Sequence, residues 1–128
     1  MRQIIFILVL LISAFPVNAE LFITGNVTDA ADGEPANGHE IVLWSNNPED
    51  NLIDIIGPNG GCADNNCYIL DCGLLSNPCG LGDTISLKVV DNGSGYTSRT
   101  LNYTITQQDV EEGFALMETI SMFHDADG

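Results

Sequence analysis

Positive charge is what this sequence has least of. Against 18 aspartates and glutamates the 128 residues carry three lysines or arginines, namely Arg2, Lys88 and Arg99. So one-signed a surface repels phosphate backbones and anionic headgroups, which argues against nucleic acid and anionic membranes as partners. The acids are scattered along the chain, so they read as solvated faces of a folded domain, not as a disordered acidic tail. Histidine is nearly as scarce, with His39 and His124 alone. There is no Gly-x-Ser-x-Gly elbow, and a Ser–His–carboxylate site needs all three groups together with an oxyanion hole. In so acidic a chain, picking out any two carboxylates as a catalytic dyad would be arbitrary. No catalytic residue is assigned and the chain is read as a non-enzyme. Trp44 is the only tryptophan, and it is expected to anchor the core between sheets. With Tyr68, Tyr96 and Tyr103 (the last read as inward-facing), the aromatic set is thin for a carbohydrate-binding face.

Long apolar runs are absent as well, except at the start. Met1-Arg2-Gln3 precedes an apolar stretch from Ile4 to Phe15, and Val17-Asn18-Ala19 places small residues at −3 and −1. This is the pattern of a secretory signal peptide cleaved after Ala19. A spanning helix needs roughly 20 apolar residues, and Pro16 interrupts this run first. Removal of residues 1–19 from 128 leaves 109, one domain of ordinary size (20–128), secreted or displayed at the cell surface with no transmembrane span. Arg2 leaves with the signal, so two cations then face 18 acids, a net charge of −16.

Export decides how the four cysteines are read. Cys62, Cys67, Cys72 and Cys79 form an even cluster, which outside the cytoplasm means two disulfides with three connectivities open. Intervening gaps of four, four and six residues suit zinc knuckles or an iron–sulfur site poorly. If Cys67 to Cys72 is one extended strand, those two side chains face opposite ways, so their mutual pairing is disfavoured. Cys62–Cys67 with Cys72–Cys79 is preferred.

The rest of the chain is short apolar runs separated by turn residues, the signal of an all-β domain. In the first run Leu21, Ile23, Gly25 and Val27 share one face, while Phe22, Thr24, Asn26 and Thr28 take the other. Further strands are expected over Glu40–Trp44, Leu52–Ile56, Cys67–Cys72, Thr84–Val89, Tyr96–Thr106 and Phe114–Met122. The turn Asp91-Asn-Gly-Ser-Gly95 makes the fifth and sixth runs the clearest hairpin, with Leu101, Tyr103 and Ile105 inward. Gln107–Glu112 is expected to form one helical turn. Seven short strands in 109 residues have the size and rhythm of a β-sandwich.

The first third resembles the carboxypeptidase regulatory-like and transthyretin-like (prealbumin-like) β-sandwich modules of secreted and cell-surface proteins. The resemblance rests on Gly25-Asn-Val27-Thr-Asp29, then Gly33-Glu-Pro35-Ala-Asn-Gly38, then His39-Glu-Ile-Val-Leu43. Asp64-Asn-Asn-Cys67-Tyr68 matches a later element, with Cys67 where the group has glycine, and Leu81-Gly-Asp-Thr-Ile85 matches a Gly-Asp before a strand. The match spans about two thirds of the mature chain. It implies a seven-stranded Greek-key sandwich acting as a structural or adhesive module, and it carries over no catalytic residue. The Tyr-Arg-Gly-Ser ending of the group's hydrolases is missing.

Two kinds of candidate site remain. Asn26-Val-Thr28, Asn92-Gly-Ser94 and Asn102-Tyr-Thr104 fit the N-glycosylation pattern, and strand parity puts Asn26 and Asn102 on outward faces. Asp29, Asp32 and Glu34 place several hard oxygens around Gly33, as calcium requires, although not at EF-hand spacing. No other cofactor is expected. The expectation is a secreted or cell-surface interaction module meeting a protein or surface partner, with a calcium- or carbohydrate-binding module as the alternative.

Overall fold

The computed structural model describes residues 20–125, so the expected signal peptide, 1–19, lies outside the described residues. β1 (Phe22–Thr28) alternates as its sequence requires: Ile23, Gly25 and Val27 are buried, while Asn26 and Thr28 are exposed. It sits inside a five-stranded sheet. β4 (Cys67–Asp71) pairs with it antiparallel on one side, and β8 (Phe114–Leu116) and β9 (Ile120–His124) pair parallel on the other. β6 (Tyr96–Ser98) closes this sheet, antiparallel to β9. The second sheet is fully antiparallel in the order β3 (Asn51–Ile55), β2 (Glu40–Trp44), β5 (Thr84–Val89), β7 (Leu101–Thr104). Between the sheets lies one core. Ile41, Leu43, Ile85, Leu87 and Val89 come from the four-stranded sheet, and Ile23, Val27, Tyr68, Leu70, Ile120 and Met122 from the five-stranded one. Each fully buried aliphatic side chain contributes about 1.5–3 kcal/mol by leaving water.

The expected strands are present, but the last two runs each divide, so nine strands stand where seven were expected. The run Tyr96–Thr106 is not one hairpin arm. Only Leu101–Thr104 pairs with β5, while Tyr96–Ser98 joins the other sheet. The switch is held by buried hydroxyls. Thr97 Oγ1 donates to Val89 O at 2.7 Å, and Val89 N donates to Ser98 Oγ at 2.9 Å, so side chains replace ladder bonds at the end of β5. The run Phe114–Met122 is interrupted over 117–119. Phe22 is paired with Phe114 but Val27 with Ile120, an extra residue on one strand that marks a bulge.

Gln107–Glu112 folds as α1, closed by a capping box. Thr106 Oγ1 accepts from Asp109 N at 3.2 Å, and Asp109 Oδ2 accepts from Thr106 N at 2.9 Å. Tyr103, only partly inward, donates its hydroxyl to the same carboxylate at 2.6 Å. Trp44 departs from its expected place. Ile41 and Leu43 take the inward positions of β2, so period-2 alternation turns Trp44 to the outer face, where it is half-buried. No helix among the described residues is long and apolar enough to cross a membrane.

Candidate interaction surface

The residues singled out in the sequence form three groups. Cys62 is bonded to Cys67 and Cys72 to Cys79, with Cα separations of 5.9 and 5.6 Å. As parity requires, Cys67 lies on the outer face of the five-stranded sheet opposite Asn26, and Cys72 lies in the core. The loop before β4 turns through left-handed backbone at Ala63 (φ 58°) and Asn66 (φ 59°), so the positive φ falls just before Cys67. Asn66 is tied down there, donating Nδ2 to Val27 O at 2.8 Å and to Asp29 Oδ1 at 2.9 Å.

The acidic loop is built around its own backbone. Asp29 Oδ1 also accepts from Ala36 N at 2.9 Å, and this bond, with that from Asn66, holds its carboxyl below the ordinary range. The Asp32 carboxylate accepts from the Tyr96 hydroxyl. Glu34 Oε1 lies 3.4 Å from Nε2 of the fully buried His39, whose Nδ1 contacts Val90 O at 3.1 Å. These three acids thus have three different partners and do not converge. Among the described residues no group of three or more His, Cys, Asp or Glu is placed to hold a metal ion. The acceptor asparagines are all exposed. Asn26 faces out of the five-stranded sheet, Asn92 sits in the turn after β5, and Asn102 on β7 accepts from Ser86 Oγ at 2.8 Å.

A fourth feature escaped the sequence reading. β3 is the end strand of the four-stranded sheet, and its Ile53 and Ile55 are 55% and 41% exposed. Register sets Val42 beside Ile53 and Trp44 beside Asn51, so the outer face carries an apolar stripe of Ile55, Ile53, Val42 and Trp44. Lys88 lies across from Val42 on β5 and makes no ion pair among the described residues. Asp54 occupies the opposite parity. Its Oδ1 accepts from Gly61 N at 2.8 Å and its Oδ2 from Ile69 N at 2.9 Å, so it stitches β3 to the edge of β4. A signal was present in Leu52-Ile-Asp-Ile55. The one acid shares parity with Leu52, which leaves both isoleucines on the other face.

Such a stripe offers water-excluding contact to another surface, and isolated aliphatic residues on soluble domains rarely line up this way without a partner. Only one aromatic, Trp44, lies on the stripe, flanked by Asn51 and Ser86. Compared with protein-family models, curated proteins and solved structures, the chain finds no match.

Proposed function

We propose that this chain is an exported, single-domain β-sandwich that works as an interaction module at or outside the cell surface, without catalytic activity of its own. The observation that carries this reading is the exposed stripe Ile55, Ile53, Val42, Trp44 on the end strand and its neighbour. Two disulfides and the signal-like residues 1–19 support the compartment. In an oxidising compartment the exposed Asn26, Asn92 and Asn102 would be accessible to glycosylation. The resemblance of the first third to regulatory-like and transthyretin-like modules supports a role in adhesion or display.

The test is retention of the purified mature protein on the surface of the cells that make it. Wild type should bind saturably, and Ile53→Lys with Ile55→Lys should bind at least about tenfold less, the loss of roughly 1.4 kcal/mol. Equal binding by the two would remove the stripe from the function. A second reading has one observation in its favour, the outward Trp44 between polar Asn51 and Ser86, which suits a sugar ring. Under that reading Trp44→Ala abolishes retention while the isoleucine changes spare it. Calorimetric titration with Ca²⁺ decides the calcium alternative: heat release and a raised melting temperature would establish it.

A further inference from the structure

The chain's switch between sheets leaves a notch. β6 pairs with β9 from Tyr96–His124 as far as Ser98–Met122, after which Arg99 and Thr100 carry the chain across to β7. Beside Ile120 and Ser121 the place of a continuing strand is left open, and a cavity of about 290 Å³ lies there, lined by Arg99, Leu101, Ile120, Ser121 and Phe123. β8 precedes β9 in parallel pairing with β1, and it pairs with β1 alone, so its other side is a strand edge. Gly113 O and Met117 N are bonded to β1, so by alternation the main-chain groups of Phe114 and Leu116 turn to the free edge. Those two residues are also 47% and 69% exposed.

Charge singles out the occupant. Arg99 is one of two cations in a described chain dense with carboxylates, yet it makes no ion pair among the described residues. A cation left unpaired at the mouth of an apolar notch, beside a free strand edge, suits a ligand that brings its own carboxylate.

We propose that the β8–β9 edge is a second binding site, which takes an extended peptide segment by strand addition. The segment alternates apolar and polar side chains and carries an acidic residue at the end that lies beside Ser121, where it meets Arg99. Main-chain bonds to the Phe114–Leu116 edge supply affinity, and the Arg99 pair fixes register and direction. The site is separate from the stripe on the four-stranded sheet, so it stands whether or not that stripe binds.

The test uses the disulfide-bonded mature protein and labelled seven-residue peptides of alternating threonine and valine with glutamate at one end or the other. One of the two peptides should bind saturably, and nuclear magnetic resonance shifts should map to 114–121 and 99–101. Replacing its glutamate with lysine, or making Arg99→Gln, should each weaken binding at least about tenfold. N-methylation of the alternate peptide amides that face β8 should abolish it while all side chains are kept. Absence of saturable binding at about 1 mM peptide would overturn the proposal, as would binding that N-methylation leaves intact. Reversible dimerisation that protects the same edge and excludes both peptides would overturn it in favour of a second copy of the chain.

Discussion

The Tyr68 hydroxyl is buried with no hydrogen-bond partner among the described residues, and burial raises its pKa well above the ordinary value. A buried hydroxyl without a partner costs about 1–3 kcal/mol by mutational measures, so Tyr68→Phe should stabilise the fold, by about 1 kcal/mol in urea denaturation. The same hydroxyl explains Gly25, where an added Cβ would lie 2.7 Å from it and 3.2 Å from Met117 Cβ. Gly25→Ala should cost about 1–3 kcal/mol by overpacking, and the Tyr68→Phe background should recover part of that loss. A double-mutant cycle measures the coupling, and strict additivity would show that the two do not meet. Asp109 makes a pH prediction. Burial alone would raise its carboxyl, but bonds from the Tyr103 hydroxyl and the Thr106 amide outweigh this and hold it below the ordinary carboxylate range. A depressed folded-state pKa gives stability that is present above the unfolded value and lost as pH falls through the folded one. Below about pH 4 wild type should lose stability more steeply than Asp109→Asn, as followed by melting temperature. Neither the unpartnered Tyr68 hydroxyl nor the Tyr103–Asp109 bond is visible to periodicity. Tyr68 could be placed on a strand, but its missing partner is a property of what packs over it.

Elements were legible where alternation alone decides them. β1, β2 and β5 fall within a residue of the expected runs because one side of each strand is buried and the other is wet. The helical turn expected over Gln107–Glu112 is present as α1, closed by Thr106 and Asp109 three residues apart. The divisions within Tyr96–Thr106 and Phe114–Met122 were not legible. Both runs keep strand-forming residues throughout, and the breaks arise from pairing: Thr97 and Ser98 bond the end of β5, and an extra residue shifts register against β1. Trp44 was misplaced for a related reason, because hydrophobicity suggested burial while the parity set by Ile41 and Leu43 turned it outward. The disulfides belong to this scale. They close loops with sequence separations of 5 and 7, and chain entropy gives about 2 kcal/mol for each. Replacing Cys72 and Cys79 together with serine should lower the unfolding free energy by that much or more, since Cys72 is also core. Replacing Cys62 and Cys67 should cost less. Equal losses would mean that core packing around Cys72 adds nothing.

At the scale of the molecule, two sheets and one core present three exposed features: an apolar stripe, a strand edge with an arginine that makes no ion pair among the described residues, and three exposed asparagines. The all-β class could be argued from the sequence, because alternation is local. The stripe could not, because it exists only once β3 lies against β2. The acidic loop shows the converse: Asp29, Asp32 and Glu34 are close in sequence but have separate partners in space. The stripe carries its own reporter, since Trp44 is the only tryptophan. The most direct measurement is Trp44 emission and acrylamide quenching as a surface fraction of the producing cells is titrated in. Expected is a blue shift with protection from quencher that Ile53→Lys with Ile55→Lys removes. Saturable retention of the protein with Trp44 emission and quenching unchanged would contradict the assignment of this face as the binding surface.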